Sequence, residues 1–327
     1  MGAHGRPPDP EELPRAGSTC SAAPRCCALS FRSSHGSLLA FAYVPSASEA
    51  YESLLYLTYE QDLGWFMRAM HYWGSNFMVG IMLLHMTQVF LFGAYKYPRE
   101  ITWITGCVLM LCTLGMAFTG QVLRWDEDAY WGLGIGAAIM GRVPFIGEGL
   151  VNLMLGGPII ASETLSRFFS LHVFIIPGTI LALLAVHLRM VLAKGINEYP
   201  KPGHLVRRET YDKEYETIIK KEGIPFAPHG IWKDVAAAAI TIGGILFARR
   251  SLARKARPAR LYPADIDTLP RPDFFFMWIF SVAALMPGTW RLSDSLSCRR
   301  SSFLFFSRYR SLTTPARRAG AAVQSRC

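Results

Sequence analysis

The chain has 327 residues, a formal net charge of +10, a mean hydropathy of +0.22 and only 18% charged residues. Soluble domains carry about 25% charged residues, and a disordered chain would not be 51% apolar and 13% aromatic, so the composition is that of a polytopic membrane protein. A nucleic-acid face on the main fold is excluded: residues 248–260, with six Lys/Arg and no acid, and 291–327, with eight Arg and one Asp, account for the whole positive excess.

Residues 1–42 contain no 20-residue apolar run, Arg25 and Arg32 breaking the best stretch. No membrane span is predicted there, and the polar residues 1–20 lack the apolar core of a signal peptide. A helix needs about 20 apolar residues to cross a bilayer. Tyr72–Tyr95, Ile101–Leu123 and Phe168–Leu188 each run without a charged residue and are predicted to span. Val235–Ala248 and Phe274–Trp290 are weaker candidates. The loop bearing Lys96 and Arg99 and the connection from Lys194 to Lys233, with eight Lys/Arg, are expected on the cytoplasmic side. The acidic segment 43–65 and the segment 124–167 then face outward. The basic run Arg249–Arg260 falls on the outer side in this scheme, against the charge rule.

Four of the eight histidines lie in or at the strong spans: His71, His85, His172 and His187. Ionisable groups at membrane depth are costly and mark function. His71 and His85 are 14 residues apart and His172 and His187 are 15 apart, which puts each pair on one helix face, about 21–23 Å apart along the axis. With one span between them the two helices run parallel, so His71 is level with His172 and His85 with His187. Facing imidazoles at two depths are what two bis-histidine haems require, and one shared ion is excluded by the separation. Gly106 and Gly120, also 14 apart on the intervening span, leave room for a flat macrocycle, although small residues also pack membrane helices. None of the seven cysteines forms C-x-x-C, so covalent haem and a zinc ribbon have no support.

The motifs resemble cytochrome b of the bc and b6f complexes. They read Arg68-Ala-Met-His71-Tyr-Trp-Gly74-Ser75, Tyr97-Pro98-Arg99-Glu100, Leu123-Arg124-Trp125-Asp126, Pro144-Phe145-Ile146-Gly147 and Thr164-Leu165-Ser166-Arg167-Phe168-Phe169-Ser170-Leu171-His172. The 15-residue gap is of the b6 type. Over about 224–278, Ile224-Pro225-Phe226, Lys233-Asp234 and Pro272-Asp273-Phe274-Phe275 resemble the start of the subunit IV half, here fused to a b6-like half. Gln88 stands where the family usually has Arg.

The resemblance implies an all-α membrane protein: a haem-binding transmembrane four-helix bundle, its first helix degraded or missing, plus one or two further helices. The implied organisation is an irregular N-terminus (1–42), a dihaem domain (43–200), a connection with a partial subunit IV-like segment (201–290) and an Arg/Ser-rich tail (291–327). It implies two b-type haems, with iron ligands His71 and His172 at the outer level and His85 and His187 at the inner. Arg68 and Arg167 would pair with haem propionates, and Gly106 and Gly120 would give clearance. Asp273, Trp125 and Pro144 would serve an outer quinol-oxidising site, and Lys233 and Asp234 would border an inner quinone site. The implied partners are a Rieske iron–sulfur protein, a c-type cytochrome, a second copy of the chain and the lipid of a bacterial inner membrane. Two alternatives stand beside it: a dihaem anchor of a quinone-linked dehydrogenase, which would lack the Pro-Phe-Ile-Gly and Pro-Asp-Phe-Phe segments, and a truncated non-redox remnant, which the missing first helix favours and the histidine quartet argues against.

Overall fold

The structure, a computed structural model, describes residues 23–198, 206–223, 231–252 and 273–285. Ile224-Pro225-Phe226, Pro272 and the tail from 291 lie outside the described residues. Every regular element among the described residues is helical. In chain order these are α1 (Ala23–Ala40), α2 (Ala50–Tyr59), α3 (Gly64–Leu91), α4 (Glu100–Val122), α5 (Glu127–Met140), α6 (Gly147–Leu155), α7 (Ser162–Ser170), a π turn (Leu171–Ile175), α8 (Ile176–Lys194), α9 (Tyr211–Glu222), α10 (Ile231–Leu252), a 3-10 turn (Phe274–Phe276) and α11 (Met277–Leu285). The end of the bundle carrying 43–65 and 124–167 is termed outer, the opposite end inner.

Four helical runs are long and apolar enough to cross a membrane: Gly64–Leu91, Glu100–Val122, Ser162–Lys194 and Ile231–Ala248. Only 11% to 28% of the most apolar window of each is buried in the fold, which leaves most of that surface for lipid. The 14-residue run at 235–248 proves to be the middle of a 22-residue helix, α10.

Residues 1–42 need a correction. They are not irregular throughout: 23–40 form α1, which packs along α3 and α10. Its face toward the bundle mixes Leu29 and Leu39, packed on the apolar clusters, with the buried polar residues Arg32 and His35, so no long apolar run announces it. The first helix is degraded rather than missing.

The outer end is closed by short helices with local stop and start signals. The Asp126 carboxylate accepts the Ala129 N–H at 2.9 Å and caps α5. Gly156, at φ +85, ends α6 in the left-handed conformation that only glycine adopts cheaply. The Thr164 hydroxyl accepts the Ala161 N–H at 3.0 Å at the start of α7. An apolar cluster of Tyr43, Leu57, Val122, Trp125, Leu133, Leu155, Leu165 and Phe168 holds this cap together. A smaller cluster joins Val79 of α3, Ala117 of α4 and Phe275, so the 273–276 segment lodges between two membrane helices.

At the inner end, Arg99 is buried. Its guanidinium donates to the Tyr211 hydroxyl at 2.7 Å and to the carbonyls of Gly195 and Ile196 at 3.1 and 3.0 Å. Those carbonyls lie beyond the last turn of α8, where backbone acceptors have no helical partner. One cation thus ties the start of α4 to the end of α8 and to α9.

Candidate functional site

Helices α4 and α8 pack antiparallel, and α4 carries the same dipeptide twice, Thr105-Gly106 and Thr119-Gly120. Each copy receives one histidine of the 162–194 run. The Thr119 hydroxyl lies 3.0 Å from Nδ1 of His172, and the Thr105 hydroxyl 3.0 Å from Nδ1 of His187. Each threonine hydroxyl also donates to a carbonyl of its own helix (Gly115 and Met116; Ile101 and Thr102). With its proton so committed, the hydroxyl oxygen is placed to accept from the ring Nδ1–H. The third histidine is fixed the same way from α1: the Arg32 carbonyl accepts from Nδ1 of His71 at 3.2 Å. Metal-ligating histidines characteristically have their second nitrogen engaged in this manner.

The glycines lie under the same rings. A Cβ at Gly120 would stand 2.6 Å from Cε1 of His172, at Gly106 3.4 Å from Cε1 of His187, and at Gly36 3.0 Å from Cε1 of His71. Gly120 therefore admits no side chain while His172 keeps its position.

The rings of His71 and His172 face each other with centroids 6.2 Å apart and planes at 79°. Metal–imidazole bonds are about 2 Å, and adding about 1.1 Å from nitrogen to ring centre on each side gives roughly 6 Å across one ion. The observed centroid separation of the outer pair is thus of the size that one iron between two imidazoles would need. His85 lies 14 residues further along α3, and α3 runs parallel to α8.

The unequal spacings have a structural cause. Pro177 has no N–H for the Val173 carbonyl, and its ring crowds that carbonyl. The chain answers with the π turn over Leu171–Ile175, in which the Ile176 N–H bonds the Leu171 carbonyl. A π turn holds one extra residue. The 15 residues from His172 to His187 then advance like the 14 from His71 to His85, and both pairs return to within about 40° of one face.

The remaining predicted residues are distributed as follows. The Arg68 guanidinium donates to the Thr58 hydroxyl of α2 at 2.7 Å, and that of Arg167 to the Leu153 carbonyl at the end of α6. Both cations stay at the outer end. Trp125 is buried in the outer apolar cluster, whereas Pro144 sits on the exposed turn between α5 and α6. Asp273 is half-buried beside the outer end of α4. Burial raises its carboxyl above the usual range, Arg124 opposing the shift while Asp128 and Asp126 add to it. Lys233 is exposed and Asp234 half-buried in the first turn of α10. Sequence reasoning missed Thr105, Thr119 and Gly36. The repeated Thr-Gly at the histidine spacing was the available signal for the first two.

The family model described as cytochrome b/b6/petB matches residues 22–195. The chain belongs to the cytochrome b family. Membership brings with it a haem-binding, membrane-integral electron-transport protein. Cytochrome b6 of Synechococcus elongatus is 40% identical over 162 residues, covering 50% of this chain and 75% of that protein. Cytochrome b6 of Prochlorococcus marinus (strain MIT 9211) is 37% identical over 162 residues, covering 50% and 74%. A solved structure, a hyperthermophilic respiratory Complex III, matches with a TM-score of 0.71 over 92% of this chain and 75% of that one. Its identity of 24% makes it evidence of fold alone. The cytochrome b match starts at 22 and so takes in α1, and it stops at 195, before the stretch that resembles subunit IV.

Proposed function

We propose that this chain is the electron-carrying cytochrome b subunit of a quinol-oxidising complex of the bc/b6f class in a bacterial inner membrane. It would hold two b-type haems, one between His71 and His172 and one between His85 and His187. The observation that carries this reading is the facing outer imidazoles, 6.2 Å apart, each with Nδ1 held by a neighbouring helix. A haem bound at each level supplies a one-electron Fe(III)/Fe(II) couple.

The chain's own groups do the rest. Thr119, Thr105 and the Arg32 carbonyl hold the rings with Nε2 inward, and Gly36, Gly106 and Gly120 let the backbone approach. Arg68 and Arg167 offer cations at the outer end for propionates, which need partners in low dielectric. Asp273 accepts a proton as quinol gives up two protons and two electrons at the outer end. The buried Trp125 is the floor of that region and the Pro144 turn its rim. One electron leaves to a Rieske iron–sulfur protein and on to a c-type cytochrome, and the other passes inward to a quinone near Lys233 and Asp234. A second copy of the chain completes a homodimer, and the segment from 224 to 278 acts as the start of a fused subunit IV.

Asp273→Asn tests the quinol site. A positioned proton acceptor contributes about 10²–10⁴-fold, so quinol turnover in membranes should fall at least about a hundredfold. The wild-type rate should climb with pH through the raised pKa of Asp273, since only the ionised carboxylate accepts a proton, and the variant should lose that rise. Equal turnover with an unchanged pH profile would exclude Asp273.

A further inference from the structure

Arg32 lends its backbone carbonyl to His71, but neither the haem ligation nor the quinone chemistry uses its side chain, a buried cation inside the bundle. It lies on α1 with 4% of its surface exposed. Its Cβ is 3.9 Å from where a side chain would begin at Gly74 of α3, and its guanidinium reaches Sδ of Met78 at 3.9 Å. Met78 is seven residues from His71 and seven from His85, about 10 Å from each at 1.5 Å per residue. The Arg32 backbone is level with the outer pair, through its carbonyl bond to His71. Its guanidinium, by contrast, lies against the Met78 side chain, inward of that contact.

An arginine stays protonated even when buried, and a buried cation requires a compensating negative charge. Residues 23–40, 64–91, 101–122 and 168–194 contain no Asp or Glu. The acid nearest in α10, Asp234, precedes Gly244 by ten residues. Gly244 is the position where α10 meets Phe77 of α3, so Asp234 lies about 15 Å along the axis from the Arg32 charge. Among the described residues, therefore, no acid lies at this depth.

We infer that Arg32 is a fixed cation between the two electron-carrying levels, a positioning residue that raises the reduction potential of the groups held there. The inference rests on the dihaem reading. Each reduction, Fe(III) plus one electron to Fe(II), adds one negative charge to a bound haem, and a cation about 10 Å away favours that state. Coulomb's law at that distance, with an effective dielectric of about 20, gives roughly a tenfold shift in the oxidised-to-reduced ratio, or about 59 mV for a one-electron couple.

The test is a potentiometric titration of the purified protein, followed in the haem absorption bands, with haem content measured first. Wild type and Arg32→Lys should titrate at the same potentials. Arg32→Gln should keep both haems, because the contact to His71 is made by the backbone, and should lower both midpoints by about 59 mV. Arg32→Met keeps the alkyl packing against Met78 and serves if the Gln variant fails to accumulate. Haem-loaded Gln or Met variants with unchanged potentials would overturn the inference, as would an equal drop in Arg32→Lys. A wild-type protein without haem would instead overturn the dihaem reading itself.

Discussion

Replacing His172 by alanine is expected to cut the haem content of the purified protein from two per chain to one. The His172 ring stands 6.2 Å from that of His71, centroid to centroid, and its Nδ1 is 3.0 Å from the Thr119 hydroxyl. With the partner gone, a haem at the outer level retains one axial ligand in an apolar bundle. Loss of an outer-shell partner alone costs metal sites about 10–100-fold in affinity, and loss of a ligand should cost more than that. The inner pair lies about 21 Å away along the helices and should keep its haem, so electron flow from quinol should fall at least about a hundredfold while half the absorbance remains. His35→Ala is the control: it removes a buried histidine of α1 that is not among the four and should leave two haems. Pyridine haemochrome assay of the three proteins decides it. Two haems in His172→Ala would remove His172 from the ligand set.

Deleting a single residue should do as much harm as removing a ligand in one helix and almost none in the other. Loss of Gly80 from α3, between His71 and His85, rotates one histidine by about 100° against the other, and one of the two haems should be lost. Loss of Phe174 together with Pro177→Ala converts the π turn to α-helix and sets the second pair 14 residues apart. His172 and His187 should then still share a face, and both haems should remain. Haem stoichiometry and the far-ultraviolet helix signal of the two variants check this. Loss of a haem from the second variant would contradict the assignment of the extra residue to the π turn.

How much of this was legible in the sequence depended on where the chemistry was dense. The spans at 72–95, 101–123 and 168–188 were readable because a bilayer demands long uncharged runs, and the histidine quartet because ionisable groups at that depth are rare. Helix α1 was not readable. Its inward face interrupts Leu29 and Leu39 with Arg32, His35 and Gly36, so hydropathy does not mark it, and packing against α3 reveals it. Thr105 and Thr119 were passed over because threonine is common in membrane helices. Their role appears only when the π turn and α8 bring a histidine against each. The π turn was hidden because the sequence shows the extra residue and Pro177 but not that the helix absorbs both at one place. Trp125 was readable as a motif residue. Its burial in the outer cluster follows from Tyr43, Leu155 and Leu165 converging on it from distant parts of the chain.

The most direct measurement is a dithionite-reduced minus oxidised spectrum of the purified membrane protein, with haem quantified per chain. The account predicts two b-type haems, both with the sharp bands of six-coordinate, bis-histidine iron. A protein that folds in membranes and carries no haem would contradict it and leave a membrane scaffold without electron-transfer function.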